Sequence, residues 1–196
     1  MPNWCSNVVT IGHKDPAKIQ QVREAAENYR LFSTFIPIPD KLAKTDSPCM
    51  NHDTALDNIN QYGYSDWYQF CVGEWGTKWE VECEIIDHTI PTDLPEHVIA
   101  LSFDSAWSPP IAFYHWLAGR EYSVRAYFHE GGMAFAGKWS DLTGPEDYEF
   151  SDLSIDEIDQ LLPKDLNDMF SITEMMTQWE EGSNLNNILV DTAAKE

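Results

Sequence analysis

Trp75-Gly76-Thr77-Lys78-Trp79-Glu80-Val81-Glu82-Cys83-Glu84-Ile85 and, after a turn, Ile99-Ala100-Leu101-Ser102-Phe103-Asp104 decide how this chain is read. Both runs alternate apolar and polar residues. That is the period of a strand with one face buried. In the first run Trp79, Val81, Cys83 and Ile85 would face a core, and Glu80, Glu82 and Glu84 would face away. Carboxylates two residues apart on a strand lie ~6.6 Å apart. The run therefore predicts a regular acidic comb, extended by Asp104 on the next strand.

Working outward, Ser6 to Gly12 reads as a strand. Asp15-Pro16 then opens a helix with a capping carboxylate and a proline at the first position. Ile19, Val22, Ala26 and Tyr29 give that helix its apolar stripe. Phe35-Ile36-Pro37-Ile38-Pro39 cannot be a central strand, because each proline removes a ladder donor, and it reads as an extended edge segment. Lys41 to Asp66 is polar and reads as an insertion with a short helix around Thr54 to Ile59. Tyr62, Tyr64, Trp67, Tyr68, Phe70, Trp75 and Trp79 would close one end of the core.

After the two alternating runs, Ser108-Pro109-Pro110 predicts a second helix, with Ser108 as its cap. Ile111, Phe113, Tyr114 and Leu117 line that helix and Gly119 ends it. A strand from Tyr122 to His129 follows, then a turn at Glu130-Gly131-Gly132 and a return strand through Phe135 and Trp139. The order strand, helix, strand, strand, helix, strand is that of an α+β, ferredoxin-like split β-α-β sandwich. An antiparallel sheet would carry two packing helices and an extra C-terminal hairpin strand.

Charge divides the chain. There are 33 acidic and 12 basic residues, a net of −21, and residues 146–196 hold 14 of the acids and 2 of the bases. The expected organisation is a domain over 1–145, with an insertion at about 33–74, and an acidic helical extension over 146–196 packed on it. In that extension Ser154 to Glu157 reads as a capping box. A further helix is expected from Asp165 to Glu181, with Leu166, Met169, Phe170, Thr173 and Met176 on its apolar stripe and Gly182 as its stop. Such a chain repels nucleic acid and anionic membranes, so neither is expected as a direct partner. No leader or apolar span is seen, and Cys5, Cys49, Cys71 and Cys83 show no pairing pattern. A cytoplasmic protein with reduced thiols is expected.

Met-Pro-Asn-Trp-Cys-Ser-Asn (1 to 7), Trp-Gly-Thr-Lys-Trp (75 to 79), Phe-Asp-Ser-Ala-Trp-Ser-Pro-Pro (103 to 110) and Phe-His-Glu-Gly-Gly-Met-Ala-Phe-Ala-Gly (128 to 137) occur in order. Together they resemble the YubB-like ferredoxin-domain family of bacteriophage and conjugative-plasmid proteins, from Met1 to about Trp139. The resemblance implies the same fold, a mobile-element origin and the cytoplasm of a bacterial host. It implies no activity and no catalytic residues.

The chemistry of catalysis is thinly represented. Cys49 to His52 is half of a zinc-type spacing without its second half, so no metal is expected. His129 and Glu130 offer a base and a carboxylate, but no nucleophile or phosphate-binding motif accompanies them. Neither catalysis nor a cofactor is expected. The expected function is that of a non-catalytic accessory protein. It would bind a host protein bearing a basic surface through Glu80, Glu82, Glu84, Asp104, Asp152, Asp156, Glu157 and Asp159, with DNA mimicry as the specific mechanism. An ordinary solvated face carries the same residue types. The alternative is a small-ligand or nucleotide-binding module with a pocket among Trp4, Trp75, Lys78, Trp79, Trp107, His129 and Glu130. Edge strands and the hairpin also leave homodimer pairing open.

Overall fold

The computed structural model describes residues 3–86 and 97–193, with side chains described through Gly182. The turn expected between Ile85 and Ile99 lies largely outside these residues. Their internal contacts divide the chain into two compact units, Met1–Asp147 and Tyr148–Glu196.

The fold is α+β, built on a six-stranded antiparallel sheet. β1 (Trp4–His13) leads into α1 (Pro16–Glu27), α2 (Leu31–Phe35), α3 (Asp40–Ala43), α4 (His52–Tyr62) and α5 (Trp67–Glu74). β2 (Glu84–Ile86), β3 (His97–Ala106), α6 (Ile111–Ala118), β4 (Ser123–Glu130), β5 (Phe135–Ser140) and β6 (Gly144–Glu149) follow. The strand order is β2-β3-β1-β4-β5-β6.

Register explains the core. Val9 sits opposite Leu101 and Ala126, and Ile11 opposite Ile99 and Val124. The period of two sends all six to one face, with Phe103 and Phe128 one pair further along. Ile19 and Val22 of α1, Phe32 of α2, and Phe113 and Leu117 of α6 complete that core. On the opposite face Val8, Thr10, Ala100 and Tyr127 are also buried. That face is less open than a half-solvated sheet would leave it.

Local chemistry agrees with several boundaries. Asp15 accepts the Ala17 amide at 2.9 Å, as a cap before Pro16 should. Other boundaries differ. Tyr29 lies outside α1, with φ 55° and 57% of its surface exposed, so it is not part of the helix stripe. The edge segment expected at Phe35 begins only after α2. The short helix of the insertion is an eleven-residue α4, because Asn51 caps it by accepting the Thr54 amide. α6 starts at Ile111 without a side-chain cap, since the Ser108 hydroxyl donates to the Gly76 carbonyl instead, at 2.7 Å.

The second unit holds α7 (Ile155–Leu161), α8 (Lys164–Phe170) and α9 (Ile172–Ala193). The capping box at Ser154 and Glu157 forms. The single helix expected over 165–181 is two. Ser171 takes φ 48° and breaks the chain between them. Asn167, buried below that break, donates to Thr173 Oγ1 and accepts the Thr173 amide, so Thr173 is a polar junction rather than part of an apolar stripe. Gly182 does not stop α9, because glycine in a helix interior weakens it without forbidding it.

Gly76 shows how tightly the loop before β2 is set. Its φ is 87°, and an added Cβ would stand 2.9 Å from the Ile111 amide nitrogen. Gly76→Ala is therefore expected to destabilise the protein by about 1–3 kcal/mol, read as a lower thermal midpoint. An unchanged midpoint would show that this loop can move off α6.

Candidate functional site: an acidic groove beside exposed tryptophans

The alternating run that suggested a long strand pairs only at its end. β2 meets β3 through Glu84–Ser102, Ile85–Leu101 and Ile86–Ala100. Before Glu84 the chain leaves β3, and the reason lies in Glu80. Its two carboxylate oxygens accept the amides of Phe32 and Ser33, each at 2.8 Å. These are unpaired donors in the first turn of α2, which has no side-chain cap of its own. Glu80 therefore turns inward and caps a helix from a distance. The comb of three carboxylates does not form, and Glu82 and Glu84 remain exposed.

Trp79 turns outward as well and is 38% exposed, against the expected core position, whereas Val81 is buried as expected. Glu80→Gln removes a charge-assisted pair of bonds but keeps one acceptor. It is expected to cost about 1–3 kcal/mol in a urea titration. Glu82→Gln, which breaks no contact, should leave that titration unchanged.

Departure of the chain from β3 opens a groove of about 730 Å³. Trp4, Tyr29, Glu80 to Glu84 and Ser102 to Asp104 line it, and among the described residues no lysine or arginine does. Asp104 is exposed and accepts the Ser6 hydroxyl at 2.7 Å, which fixes its carboxylate at the sheet surface. Cys83, also on the wall, has its thiol pushed up to about 12, by burial first and then by the charge of Glu80. It stays protonated at neutral pH and is a poor nucleophile.

At the Trp4 end the groove meets an aromatic cluster. Trp4 and Trp79 lie 6.3 Å apart between ring centroids. The Lys78 ammonium stands 4.2 Å from the Trp79 ring centre, 5.1 Å from that of Trp107 and 5.7 Å from that of Tyr68. Trp4, Trp79 and Trp107 are 52%, 38% and 43% exposed, which is unusual for three adjacent tryptophans. Trp107 also adopts φ 68°, a strained conformation for an aromatic residue, held by its amide donating to the Asn3 carbonyl at 2.9 Å.

The other pocket residues do not converge there. Trp75 is buried, and its indole N–H donates to the Ile36 carbonyl at 3.0 Å. Glu130 is buried too, and its carboxylate accepts the amides of Gly132 and Met133. His129 is its strand neighbour and so points to the opposite face. Burial lowers the His129 pKa, with the Glu130 charge opposing. The two side chains diverge, and Glu130 ties the hairpin turn.

Asp152, Asp156, Glu157 and Asp159 are exposed in the second unit. Glu157 accepts the Ser154 amide, and Asp159 accepts the Asn167 side-chain amide at 3.0 Å. Half of that set therefore has structural work. Tyr29 and Tyr68 were missed as surface residues of the site. Helical spacing hid the first and general aromatic density the second. Among the described residues no group of His, Cys, Asp and Glu is placed to hold a metal, and no helix is long and apolar enough to cross a membrane.

No protein-family model and no curated protein matches the chain. Among solved structures, the crystal structure of the protein api92 from Yersinia pseudotuberculosis, assigned to the family model DUF1281, is similar over 77% of this chain and 99% of that one, at 10% identity and a TM-score of 0.40.

Proposed function

We propose that this chain is a non-catalytic accessory protein that binds a basic surface of a host protein through the groove walled by Glu82, Glu84 and Asp104. The observation that carries this reading is a groove of about 730 Å³ with no basic residue among the described residues of its lining, on a chain of net charge −21. Exposed Trp4 and Trp79 at its end supply the aromatic area that anchors protein interfaces. A surface of this sign suits a site that otherwise accepts nucleic acid, so the partner class is a nucleic-acid-handling or defence protein. The phage or plasmid setting rests on the motif resemblance. The ferredoxin-like assignment has the support of the order β2-β3-β1-β4, with helices before β2 and before β4. The acidic residues of α7 belong to the same reading as a second negative surface.

Such an association is electrostatically steered and weakens with salt. The test immobilises the full chain, exposes it to bacterial lysate and washes across a salt gradient. A partner with a basic surface, released as salt rises, supports the proposal. Retention that ignores salt sinks it.

The Lys78 cluster favours a second reading, a small-ligand module reduced to Trp4, Lys78, Trp79 and Trp107. Saturable quenching of tryptophan fluorescence by a nucleotide, lost in Trp107→Ala, would select it.

A further inference from the structure

Away from the acidic groove, the first unit contains a pocket of opposite sign. It encloses about 290 Å³ and is lined by Lys18, Gln21, Thr34, Phe35, Trp116, Arg120 and Tyr122. The residues come from the three helices of the layer: α1 gives Lys18 and Gln21, α2 gives Thr34 and Phe35, and α6 with the turn after it gives Trp116, Arg120 and Tyr122. Among the described residues no carboxylate lines it. Among the described residues neither Lys18 nor Arg120 forms an ion pair, although acids outnumber bases 33 to 12 in this chain.

Arg120 is held in position. Its guanidinium carbon lies 3.6 Å from the Trp116 ring centre, and one Nη donates to the Trp116 carbonyl at 3.2 Å. A guanidinium carries five N–H donors, so most of the fork remains available, already oriented. Burial, and then the charge of Asp15, raise the Tyr122 pKa, so at neutral pH its hydroxyl is a donor. Asp15 accepts the Ala17 amide at one carboxylate oxygen. Gln21 and Thr34 add an amide and a hydroxyl. The remaining walls are rings: Phe35 stands 5.8 Å from Trp116 and 6.3 Å from Tyr122 between centroids.

We propose that the pocket bounded by Lys18, Thr34, Arg120 and Tyr122 binds a small phosphate monoester carried on a planar aromatic group. Arg120 and Lys18 would take the phosphate oxygens, the first as a bidentate fork and the second as a point charge. The ligand ring would lie against the wall that Phe35 and Trp116 form together. The volume sits at the small end of ligand pockets, about 300 Å³, and accommodates one ring and one phosphate. This inference does not depend on the acidic groove.

Calorimetric titration of the full chain with phenyl phosphate, and separately with inorganic phosphate, tests it. Phenyl phosphate should bind saturably, more tightly than inorganic phosphate. Lys18→Gln and Arg120→Gln should each weaken it about tenfold, and Lys44→Gln should not. Among the described residues the Lys18 side chain forms no hydrogen bond or ion pair, so its variant keeps the test valid if Arg120→Gln unfolds. Absence of saturable binding overturns the proposal. So does equal affinity for the two phosphates, or binding indifferent to Lys18→Gln.

Discussion

Phe32→Ala is expected to destabilise the protein by about 3–5 kcal/mol. Phe32 is fully buried, and its ring lies 4.9 Å from Phe113, 5.5 Å from Trp75 and 6.3 Å from Phe103. It joins α2 to α6, to the loop before β2 and to β3. Truncation leaves a cavity among rings too rigid to collapse into it, and aromatic pairing adds about 0.5–1.5 kcal/mol to what burial alone provides. The same residue offers its amide to Glu80. Loss of the ring should therefore loosen both the core and the wall of the groove. Equilibrium urea unfolding measures the first effect. Hydrogen exchange at the Ser33 amide, bonded to the same carboxylate, measures the second. A loss below about 1 kcal/mol would mean that the ring cluster repacks, which dense cores rarely do.

The second large effect concerns binding. Combined Glu82→Gln, Glu84→Gln and Asp104→Asn should weaken capture of the partner by about 0.6–3 kcal/mol, from about 0.2–1 kcal/mol for each exposed charge pair. Association should slow more than dissociation quickens, and the dependence on salt should flatten. Surface plasmon resonance against the captured partner separates these rates. Glu82 and Glu84 break no described bond, and Asp104 loses only the Ser6 contact, so the unfolding midpoint should hold. Unchanged association would assign the acidic groove to solvation alone. Glu80 is left out of this variant because its carboxylate supports α2.

Alternation was a sound guide where strands pair along their length. β4 follows it most closely, since the register that sends Val9, Leu101 and Ala126 inward repeats every second residue, whereas β1 is buried on both faces. It misled between Trp79 and Cys83. There the pattern is the same, but a contact 48 residues away in sequence, from Glu80 to Phe32, outweighs the ladder. Local sequence holds no trace of such a contact. Short helices were hidden for a related reason. α2 has five residues and α5 has eight, too few turns for a periodic stripe to declare itself. The cation pocket was equally unreadable, because Lys18, Thr34 and Arg120 share no motif and meet only through helix packing. The tryptophans were legible as a set. Their division into buried Trp75 and exposed Trp4, Trp79 and Trp107 was not, because that depends on which way one loop turns.

Departure of residues 79–83 from β3 has one more consequence. Beyond Ser102 that strand has no described neighbour strand on the groove side, although the Ala106 carbonyl accepts the Thr77 hydroxyl at 3.0 Å. A second copy pairing there would bring its own acidic residues toward Glu82 and Asp104, and like charge opposes that approach. A lysine- or arginine-bearing strand from a different protein would meet no such barrier. Under the proposed function, the carboxylates would favour a cationic strand over a second copy of this chain.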